Sequence, residues 1–162
     1  MKYTYMKSPI GRLLLAGDEE GLHLIGFPEG KMVIEPAADW VESRRTFDEA
    51  IRQLEAYFAG ERREFDLPLL PQGTPFQLKV WARLREIPYG ETISYGELAA
   101  RLGNPKASRA VGMANGRNPL PIVVPCHRVI GSSGKLTGFG GGLPTKEALL
   151  GLERGELRLV LR

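Results

Sequence analysis

The chain has 162 residues, 43% of them hydrophobic and 25% charged, which excludes a disordered, collagen-like or coiled-coil protein. No apolar run approaches the ~20 residues that a membrane helix needs, and residues 1–7 lack the apolar core of a secretory signal. The net charge of +3 hides an uneven distribution, since residues 1–71 carry 9 Lys/Arg and 13 Asp/Glu whereas residues 72–162 carry 13 and 6.

The start of the sequence predicts an antiparallel sheet. Strands are expected at Lys2–Met6, 12–16 and 22–26, because each run is apolar or weakly alternating. Turns rich in Gly, Pro, Asp and Glu separate these strands at 8–11 and 17–21. Strands joined by short turns in this way indicate a meander.

A helix is predicted to follow, beginning near Thr46. Glu49 stands three residues after Thr46, which is the spacing of a capping box. The apolar stripe of this helix and the glycine that ends it are Phe47, Ile51, Leu54, Phe58 and Gly60. The segment 67–73, with two prolines, is the best linker candidate, and it divides the chain into domains 1–71 and 72–162.

The second half predicts helices with clear boundaries. Thr74, Pro75 and Gln77 supply an N-cap, a proline at the first helical position and a capping side chain. The apolar face of this helix and the proline that ends it are Phe76, Val80, Leu84, Ile87 and Pro88.

Two short helices are expected next, as the second and third helices of this half of the chain. Ser94 and Glu97 form a second capping box, and Gly103 closes the helix that they open. A third helix is predicted from Asn104 to about Ala114. A short helix, a glycine-containing turn and a second helix are typical of a helix-turn-helix.

The third predicted helix consists mostly of small residues and offers little beyond Arg109 to contact bases. A helix that reads the major groove needs several long polar side chains. Small residues would instead let the helix approach a minor groove, with Arg109 projecting into it. Tight packing against neighbouring helices would require the same composition.

The stretch between Glu97 and Glu147 contains no acidic residue. Its 49 residues carry seven cations, which are Arg101, Lys106, Arg109, Arg117, Arg128, Lys135 and Lys146. Such a stretch favours a partner with a phosphate backbone, although a solvated basic surface has the same composition.

The only cysteine, Cys126, stands next to His127, one of two histidines. One cysteine cannot form an intrachain disulfide, so we expect a cytoplasmic protein. One cysteine and two histidines also leave few ligands for a zinc site.

The neighbouring Cys126 and His127 also suggest a reactive thiol. An imidazole can take the proton of a thiol, whose thiolate is the reactive form. Neighbours on a regular strand point to opposite faces, so the pair must lie at a strand end or turn, or act through a water. A buried structural cysteine is the alternative.

The segment 125–130, Pro-Cys-His-Arg-Val-Ile, resembles the active-site signature of the 6-O-alkylguanine-DNA alkyltransferases, also called methylated-DNA–protein-cysteine methyltransferases. The resemblance runs in register from Gly73 to Glu153 and includes Thr74, Phe76, Gln77, Val80, Trp81, Ile87, Pro88, Gly90, Thr92, Ser94, Tyr95, Arg109, Ala110, Val111, Gly112, Asn118, Pro119 and Lys146. It implies an α+β protein. The resemblance further implies that a ribonuclease-H-like antiparallel sheet with a helix precedes a mostly helical, winged-helix-like domain with a helix-turn-helix.

The resemblance also implies DNA repair by direct reversal of damage. Members of the family rotate 6-O-methylguanine, and we expect also 4-O-methylthymine, out of the duplex and transfer the alkyl group irreversibly to cysteine. Each protein molecule therefore acts once. The expected partner is double-stranded DNA, bound by a monomer through the minor groove largely without sequence preference, and no cofactor, metal or membrane is involved.

Roles follow by position from the resemblance. Cys126 is the alkyl acceptor, His127 is its base through a water, and Glu153 orients His127. Asn118 links the recognition helix to the active-site turn. Contacts to the damaged base are implied for Tyr95, for Arg109, which fills the gap in the base stack, and for the backbones of Cys126, Val129 and Gly140. The implied DNA contacts are Ser94, Ala107, Ser108, Gly112 and Arg128.

Departures from the family pattern bear on these roles. Gly140 stands where some relatives have a serine, so a side-chain contact is lost while the backbone amide is kept. The N-terminal zinc site of some relatives is not expected, because the chain has only His23 there. Cys126 also argues against the alkyltransferase-like damage sensors, which have tryptophan at that position. The other classes considered are a non-catalytic DNA-binding regulator and a papain-like Cys-His hydrolase.

Overall fold

The computed structural model describes residues 1–134 and 139–156, and its N-terminal part is built on a four-stranded sheet. Strands β1 (Lys2–Met6), β2 (Leu13–Asp18) and β3 (Gly21–Gly26) form the predicted antiparallel meander. A short strand, β4 (Val41–Glu42), pairs in parallel with β1 and completes the order β3-β2-β1-β4. The sequence does not predict β4, because two exposed residues carry no hydrophobic pattern.

The helix after the sheet begins slightly later than expected. Helix α1 covers Asp48–Phe58 and follows a 3₁₀ turn at Arg44–Phe47. The predicted capping box is wrong, because Thr46 Oγ1 hydrogen-bonds Ser43 Oγ at 2.8 Å while Glu49 forms an ion pair on the helix surface. The predicted apolar stripe of the helix is buried in the core.

The segment 67–73 is tied to the sheet. The backbone N–H of Leu22 donates to Pro68 O at 2.9 Å, and Leu22 O accepts from Leu70 N at 2.8 Å. The side-chain amide of Gln53 holds the backbone just before this segment. The segment therefore runs beside β3, and the division into two domains at this point stays a prediction.

The C-terminal part of the chain is mostly helical. Its elements are α2 (Pro75–Leu84), β5 (Ile93–Ser94), α3 (Tyr95–Arg101), α4 (Ser108–Gly116), β6 (Val129–Ile130) and α5 (Leu143–Glu153). Strands β5 and β6 pair in parallel. The predicted capping box of α2 is confirmed, since Gln77 N donates to Thr74 Oγ1 at 3.1 Å and Thr74 N donates to Gln77 Oε1 at 3.0 Å.

Helices α3 and α4 form the helix-turn-helix. Half of the predicted capping box of α3 is formed, since Glu97 N donates to Ser94 Oγ at 3.0 Å, while the Glu97 carboxylate pairs with Arg101 instead of reaching back to Ser94 N. Helix α4 begins later than predicted, because the carbonyl of Asn104 accepts from Ala107 N in a turn instead of starting the helix. Trp81 Nε1 on α2 donates to Ala114 O on α4 at 2.9 Å, which fixes α4 against α2.

The two parts of the chain contact each other through the loops around Cys126. Ile25 N in β3 donates to Pro119 O at 2.9 Å, and Met32 N donates to Gly140 O at 2.9 Å. The apolar side chains of both parts belong to one hydrophobic cluster. Within the described ranges, no helix is long and apolar enough to cross a membrane.

Candidate active site and nucleic-acid face

Cys126 is the first residue of a 3₁₀ turn that lies between α4 and β6. Asn118 Nδ2 donates to Val124 O at 2.8 Å, and Asn115 Nδ2 donates to the carbonyl of the cysteine at 3.3 Å. Ile122 has a φ of +76° and is the one non-glycine residue with a positive φ in the described part of the chain. This backbone conformation is strained for a β-branched residue. Cys126 therefore lies in a turn whose geometry is fixed. A turn is one of the arrangements that the sequence predicts for Cys126 and His127, because neighbours on a regular strand point to opposite faces.

The thiol of Cys126 is enclosed, with 5% of the residue exposed. Burial raises its pKa to about 11, although a hydrogen bond with Asn118 and the charge of Lys146 act in the opposite direction. The side chain is therefore a neutral thiol at neutral pH. It needs a base before it can act as a nucleophile.

Lys146 belongs to this site rather than to the basic surface of the protein. The residue is fully buried, and its Nζ donates to Val129 O at 2.7 Å. Burial lowers the pKa of Lys146 to about 8, while the charge of a Cys126 thiolate acts in the opposite direction. Lys146 is thus a cation at neutral pH, close enough to stabilise the thiolate.

His127 and Glu153 form a buried pair. His127 Nε2 lies 2.6 Å from Glu153 Oε2, and neither side chain is more than 1% exposed. Burial lowers the pKa of His127 although Glu153 raises it, so the imidazole is neutral at neutral pH. Because Glu153 is ionised, the imidazole hydrogen is assigned to Nε2. Nδ1 is then a free acceptor, and it has no hydrogen-bond partner among the described residues.

Glu153 ends α5 and accepts hydrogen bonds from three further residues. Arg128 donates to both carboxylate oxygens, from Nε to Oε1 at 2.8 Å and from Nη2 to Oε2 at 3.0 Å. Tyr57 OH donates to Oε2 at 2.6 Å, and Gly90 N donates to Oε1 at 3.2 Å. Burial alone would raise the pKa of Glu153, but the hydrogen bonds from His127 and Arg128 outweigh it and hold this pKa well below its usual value.

This network corrects the expected DNA contact of Arg128. The residue is only 6% exposed, and its Nη1 donates to Ile87 O at 2.7 Å. We therefore assign Arg128 to holding Glu153. Tyr57 and Gly90, which also donate to Glu153, are not predicted by the sequence. A buried tyrosine on an amphipathic helix needs a partner for its hydroxyl, but no pattern identifies one 96 residues away.

A cavity of about 10 Å³ adjoins the thiol and is lined by Phe27, Met32, Asn115, Gly116, Asn118, Pro121, Cys126, Phe139 and Gly140. It is barely large enough for one water molecule. Of the three residues whose backbones are expected to contact the damaged base, Cys126 and Gly140 line this cavity, while Val129 O accepts a hydrogen bond from Lys146 Nζ. A cavity of this size cannot hold a purine. No group of His, Cys, Asp and Glu suited to a metal ion occurs in the described part of the chain.

Most of the predicted DNA contacts lie on the helix-turn-helix. A Cβ atom at Gly112 would lie 3.7 Å from Tyr95 Cδ1, so the aromatic ring packs over the small residues of α4. Ser108 and Arg109 are exposed and Ala107 is half-buried. Arg109 forms no hydrogen bond or ion pair with any residue that the structure describes.

The seven cations of the acid-free stretch do not all reach the surface. Those exposed are Arg101, Lys106, Arg109 and Arg117. Arg101 also pairs with Glu97 at 3.3 Å. Arg128 and Lys146 are buried at the site, and Lys135 lies outside the described residues. The basic surface is therefore weaker than the sequence count indicates.

Two family models match the chain and together span nearly all of it. Residues 1–71 match the model described as 6-O-methylguanine DNA methyltransferase, ribonuclease-like domain. Residues 75–155 match the model described as 6-O-methylguanine DNA methyltransferase, DNA binding domain. The methylated-DNA–protein-cysteine methyltransferase of Methanosarcina acetivorans is 62% identical over 153 residues, which cover 94% of this chain and 98% of that protein.

Solved structures agree with the sequence comparison. Mycobacterium tuberculosis OGT in complex with DNA superimposes with a TM-score of 0.90 at 51% identity, covering 96% of this chain and 94% of that chain. The O6-methylguanine-DNA methyltransferase of Pyrococcus kodakaraensis superimposes with a TM-score of 0.69 at 26% identity, covering 94% and 98%. The predicted α+β fold and the predicted family resemblance are thereby confirmed.

Proposed function

Because the chain belongs to the 6-O-methylguanine DNA methyltransferase family, we propose that it repairs DNA by moving the methyl group of 6-O-methylguanine to its own Cys126. The observation that carries the assignment of the site is the buried thiol beside the His127–Glu153 pair. A thiol whose pKa is raised to about 11 cannot ionise unaided at neutral pH, and this pair supplies the base.

The transfer is a displacement at the methyl carbon. Nδ1 of His127 accepts the thiol proton through one water, because consecutive side chains of a 3₁₀ turn diverge. The S–C bond forms as the C–O6 bond breaks, the electron pair passes to the guanine ring, and the proton is returned to guanine N1. Glu153 stabilises the transient imidazolium, as a triad carboxylate does, and Lys146 stabilises the thiolate.

The damaged base must leave the duplex to reach the thiol. Cys126 is 5% exposed and lies behind the loop of Gly140, so a base that stays stacked cannot approach it. Arg109, exposed and unpaired among the described side chains, fills the gap left in the base stack. The Tyr95 ring, packed over Gly112, contacts the rotated nucleotide.

DNA is bound mainly through its backbone and shape. Alkylation damage occurs in any sequence, and the small residues of α4 provide few side chains that could distinguish bases. Ser94, Ala107 and Ser108 lie where α3 and α4 begin, and we propose that they face the minor groove. Since one chain supplies the whole site, the protein acts as a monomer.

Each molecule acts once. The thioether product carries no charge and offers no group that the neighbouring side chains could displace, so the thiol is not regenerated. The same displacement suits a methyl group on the 4-oxygen of thymine. We therefore propose 4-O-methylthymine as a second substrate.

The mass of the intact protein tests the proposal. The parent and Cys126→Ala are incubated with excess duplex that contains one 6-O-methylguanine. We expect the parent to gain one methyl group and then stop, with the adduct in the peptide that holds Cys126, and the variant to gain nothing. A reversible DNA-binding regulator would gain no mass, and sustained release of repaired DNA would contradict single turnover.

A further inference from the structure

Tyr57 of the N-terminal part of the chain reaches into the catalytic pair. It lies near the end of α1, is completely buried, and donates its hydroxyl hydrogen to Glu153 Oε2 at 2.6 Å. His127 Nε2 lies at the same distance from the same oxygen. One carboxylate oxygen is therefore shared between the imidazole and a phenol from another part of the chain.

The phenol is bound to act as a hydrogen-bond donor. Burial first, and then the charge of Glu153, raises the pKa of Tyr57 well above its ordinary value, so its proton stays in place. An ionised carboxylate can only accept. The bond thus has one direction, from Tyr57 OH to Oε2.

The position of the hydroxyl is fixed by the rings around it. The centroid of the Tyr57 ring lies 5.4 Å from that of Phe58, 5.5 Å from that of Phe65 and 6.1 Å from that of Tyr89. Two of these three contacts are edge-to-face. A ring packed in this way cannot turn its hydroxyl elsewhere without disturbing the core.

We propose that Tyr57 is a positioning residue for the methyl transfer, which fixes Oε2 of Glu153 and limits how strongly this oxygen attracts the imidazole hydrogen of His127. The inference rests on the proposed function. It makes the N-terminal part of the chain a contributor to the chemistry of the site. Tyr57 contacts neither substrate nor thiol and acts only through Glu153.

Removal of the hydroxyl has two expected consequences. Oε2 loses one of its short hydrogen bonds and becomes more basic, so it stabilises the imidazolium form of His127 more strongly. The limb of the rate profile that rises with pH as His127 loses its proton therefore moves to higher pH. The plateau rate also falls, by about tenfold, because the carboxylate is less firmly held.

Other charged groups near the pair are unchanged by this substitution. Arg128 remains on both oxygens of Glu153, and Lys146 remains on the side of the thiol. Tyr89 lies behind Tyr57, and the guanidinium of Arg63 lies 5.1 Å from its ring centroid. The shift of the profile therefore reports the loss of one hydroxyl.

The test compares Tyr57→Phe with Tyr89→Phe. Each variant keeps its ring and loses one hydroxyl, but that of Tyr89 has no hydrogen bond to Glu153. Rates of single methyl transfer from duplex are measured across pH at saturating protein. We expect the midpoint to move upward only in Tyr57→Phe, and an unchanged midpoint and plateau would overturn the inference.

A second probe strengthens the hydrogen bond instead of removing it. Incorporation of 3-fluorotyrosine at position 57 makes the phenol a better donor, and we expect the midpoint to move in the opposite direction. The same pair of shifts is expected when Cys126 is alkylated by iodoacetamide and followed by intact mass. The iodoacetamide reaction needs no DNA, so it tests the role of Tyr57 separately from the proposed function. If the parent takes no methyl group from DNA, the proposed function fails, and the pH dependence of the iodoacetamide reaction still tests the role of Tyr57.

Discussion

The side chain of Met32 lies directly against the Cα atom of Gly140. A Cβ atom at position 140 would overlap Met32 Cγ, and Met32 N already donates to Gly140 O at 2.9 Å. The loop after β3 therefore covers the glycine loop that lines the cavity beside Cys126. The absence of a side chain at Gly140 leaves the space that Met32 occupies.

This contact predicts a double-mutant result. Gly140→Ala should lower the free energy of unfolding by about 1–3 kcal/mol, since an added methyl group meets a packed side chain. Met32→Ala in the same molecule should restore most of the loss, which a four-way comparison of urea unfolding measures. Gly96→Ala is the matched control, because its Cβ would meet only Ser94 Oγ at 3.8 Å. Equal losses with and without Met32 would mean that something else resists the added atom.

Substitutions at His127 and Glu153 should differ in their effects, since one mainly slows methyl transfer and the other mainly lowers the free energy of unfolding. His127→Ala should slow single-turnover methyl transfer by about 10²–10⁴-fold, the usual contribution of a general base. Glu153→Gln should lose less rate but about 3–5 kcal/mol of unfolding free energy, because the buried charge of Arg128 loses its partner. Affinity for DNA should change little in either variant.

The control for the second effect is an exposed ion pair. Glu97→Gln removes the partner of Arg101 on the surface, where about 0.2–1 kcal/mol is expected. The reverse order, with His127→Ala the less stable and Glu153→Gln the slower, would contradict the assigned roles.

Alkaline pH should reveal opposing contributions from Cys126 and Lys146. The pKa of Lys146 is about 8 in the folded protein and ~10.4 in an unfolded chain. Between these values the unfolded chain holds more protons, so Lys146 makes the protein more stable as pH rises. The pKa of Cys126 is about 11 when folded and ~8.5 when unfolded. The folded thiol keeps a proton that the unfolded one loses, so stability falls through this window.

Each single variant should therefore expose the other contribution. From pH ~8.5 to ~10.4, Lys146→Met should lose stability more steeply than the parent, and Cys126→Ala should lose it less steeply or gain it. Urea unfolding at a series of pH values measures both slopes. Parallel curves for the three proteins would show that neither group has the shifted pKa.

Arg109→Ala should impair repair only when the base must leave a duplex. At saturating protein we expect slow methyl transfer from duplex and a nearly normal reaction with free 6-O-benzylguanine. Arg101→Ala removes a neighbouring exposed cation and should react normally with both once saturated. If Arg109→Ala equals the parent on duplex, Arg109 is a phosphate contact and fills no gap in the stack.

Local signals were sufficient for much of the fold. The capping box at Thr74 is formed as predicted, because all of its atoms lie within one helical turn. The same spacing at Thr46 failed, since Ser43 offered the threonine hydroxyl a competing partner. Turn geometry in the same way delayed the start of α4.

Charge patterns were less informative about the site. Arg128 was predicted to contact DNA because it is a cation in a stretch without acidic residues. It is buried and acts as the counter-ion of Glu153, because the charge of a side chain does not determine whether it is exposed. Tyr57 was missed for a different reason. Its partner Glu153 lies on another helix, 96 residues further along the chain, and no periodicity in either helix identifies such a pair.

Cys126 is synthesised before Glu153, the residue that holds its catalytic base His127, because the two lie far apart along the chain. The sheet and α1 emerge first, Cys126 much later, and Glu153 after a further 26 residues beyond His127. A chain emerging from the ribosome at ~5–20 residues per second therefore carries an ordinary, unassisted cysteine for a second or more. The reactive arrangement is completed only when Glu153 at the end of α5 reaches His127, Arg128 and Tyr57, so a chain that stops before α5 lacks the support of the catalytic base.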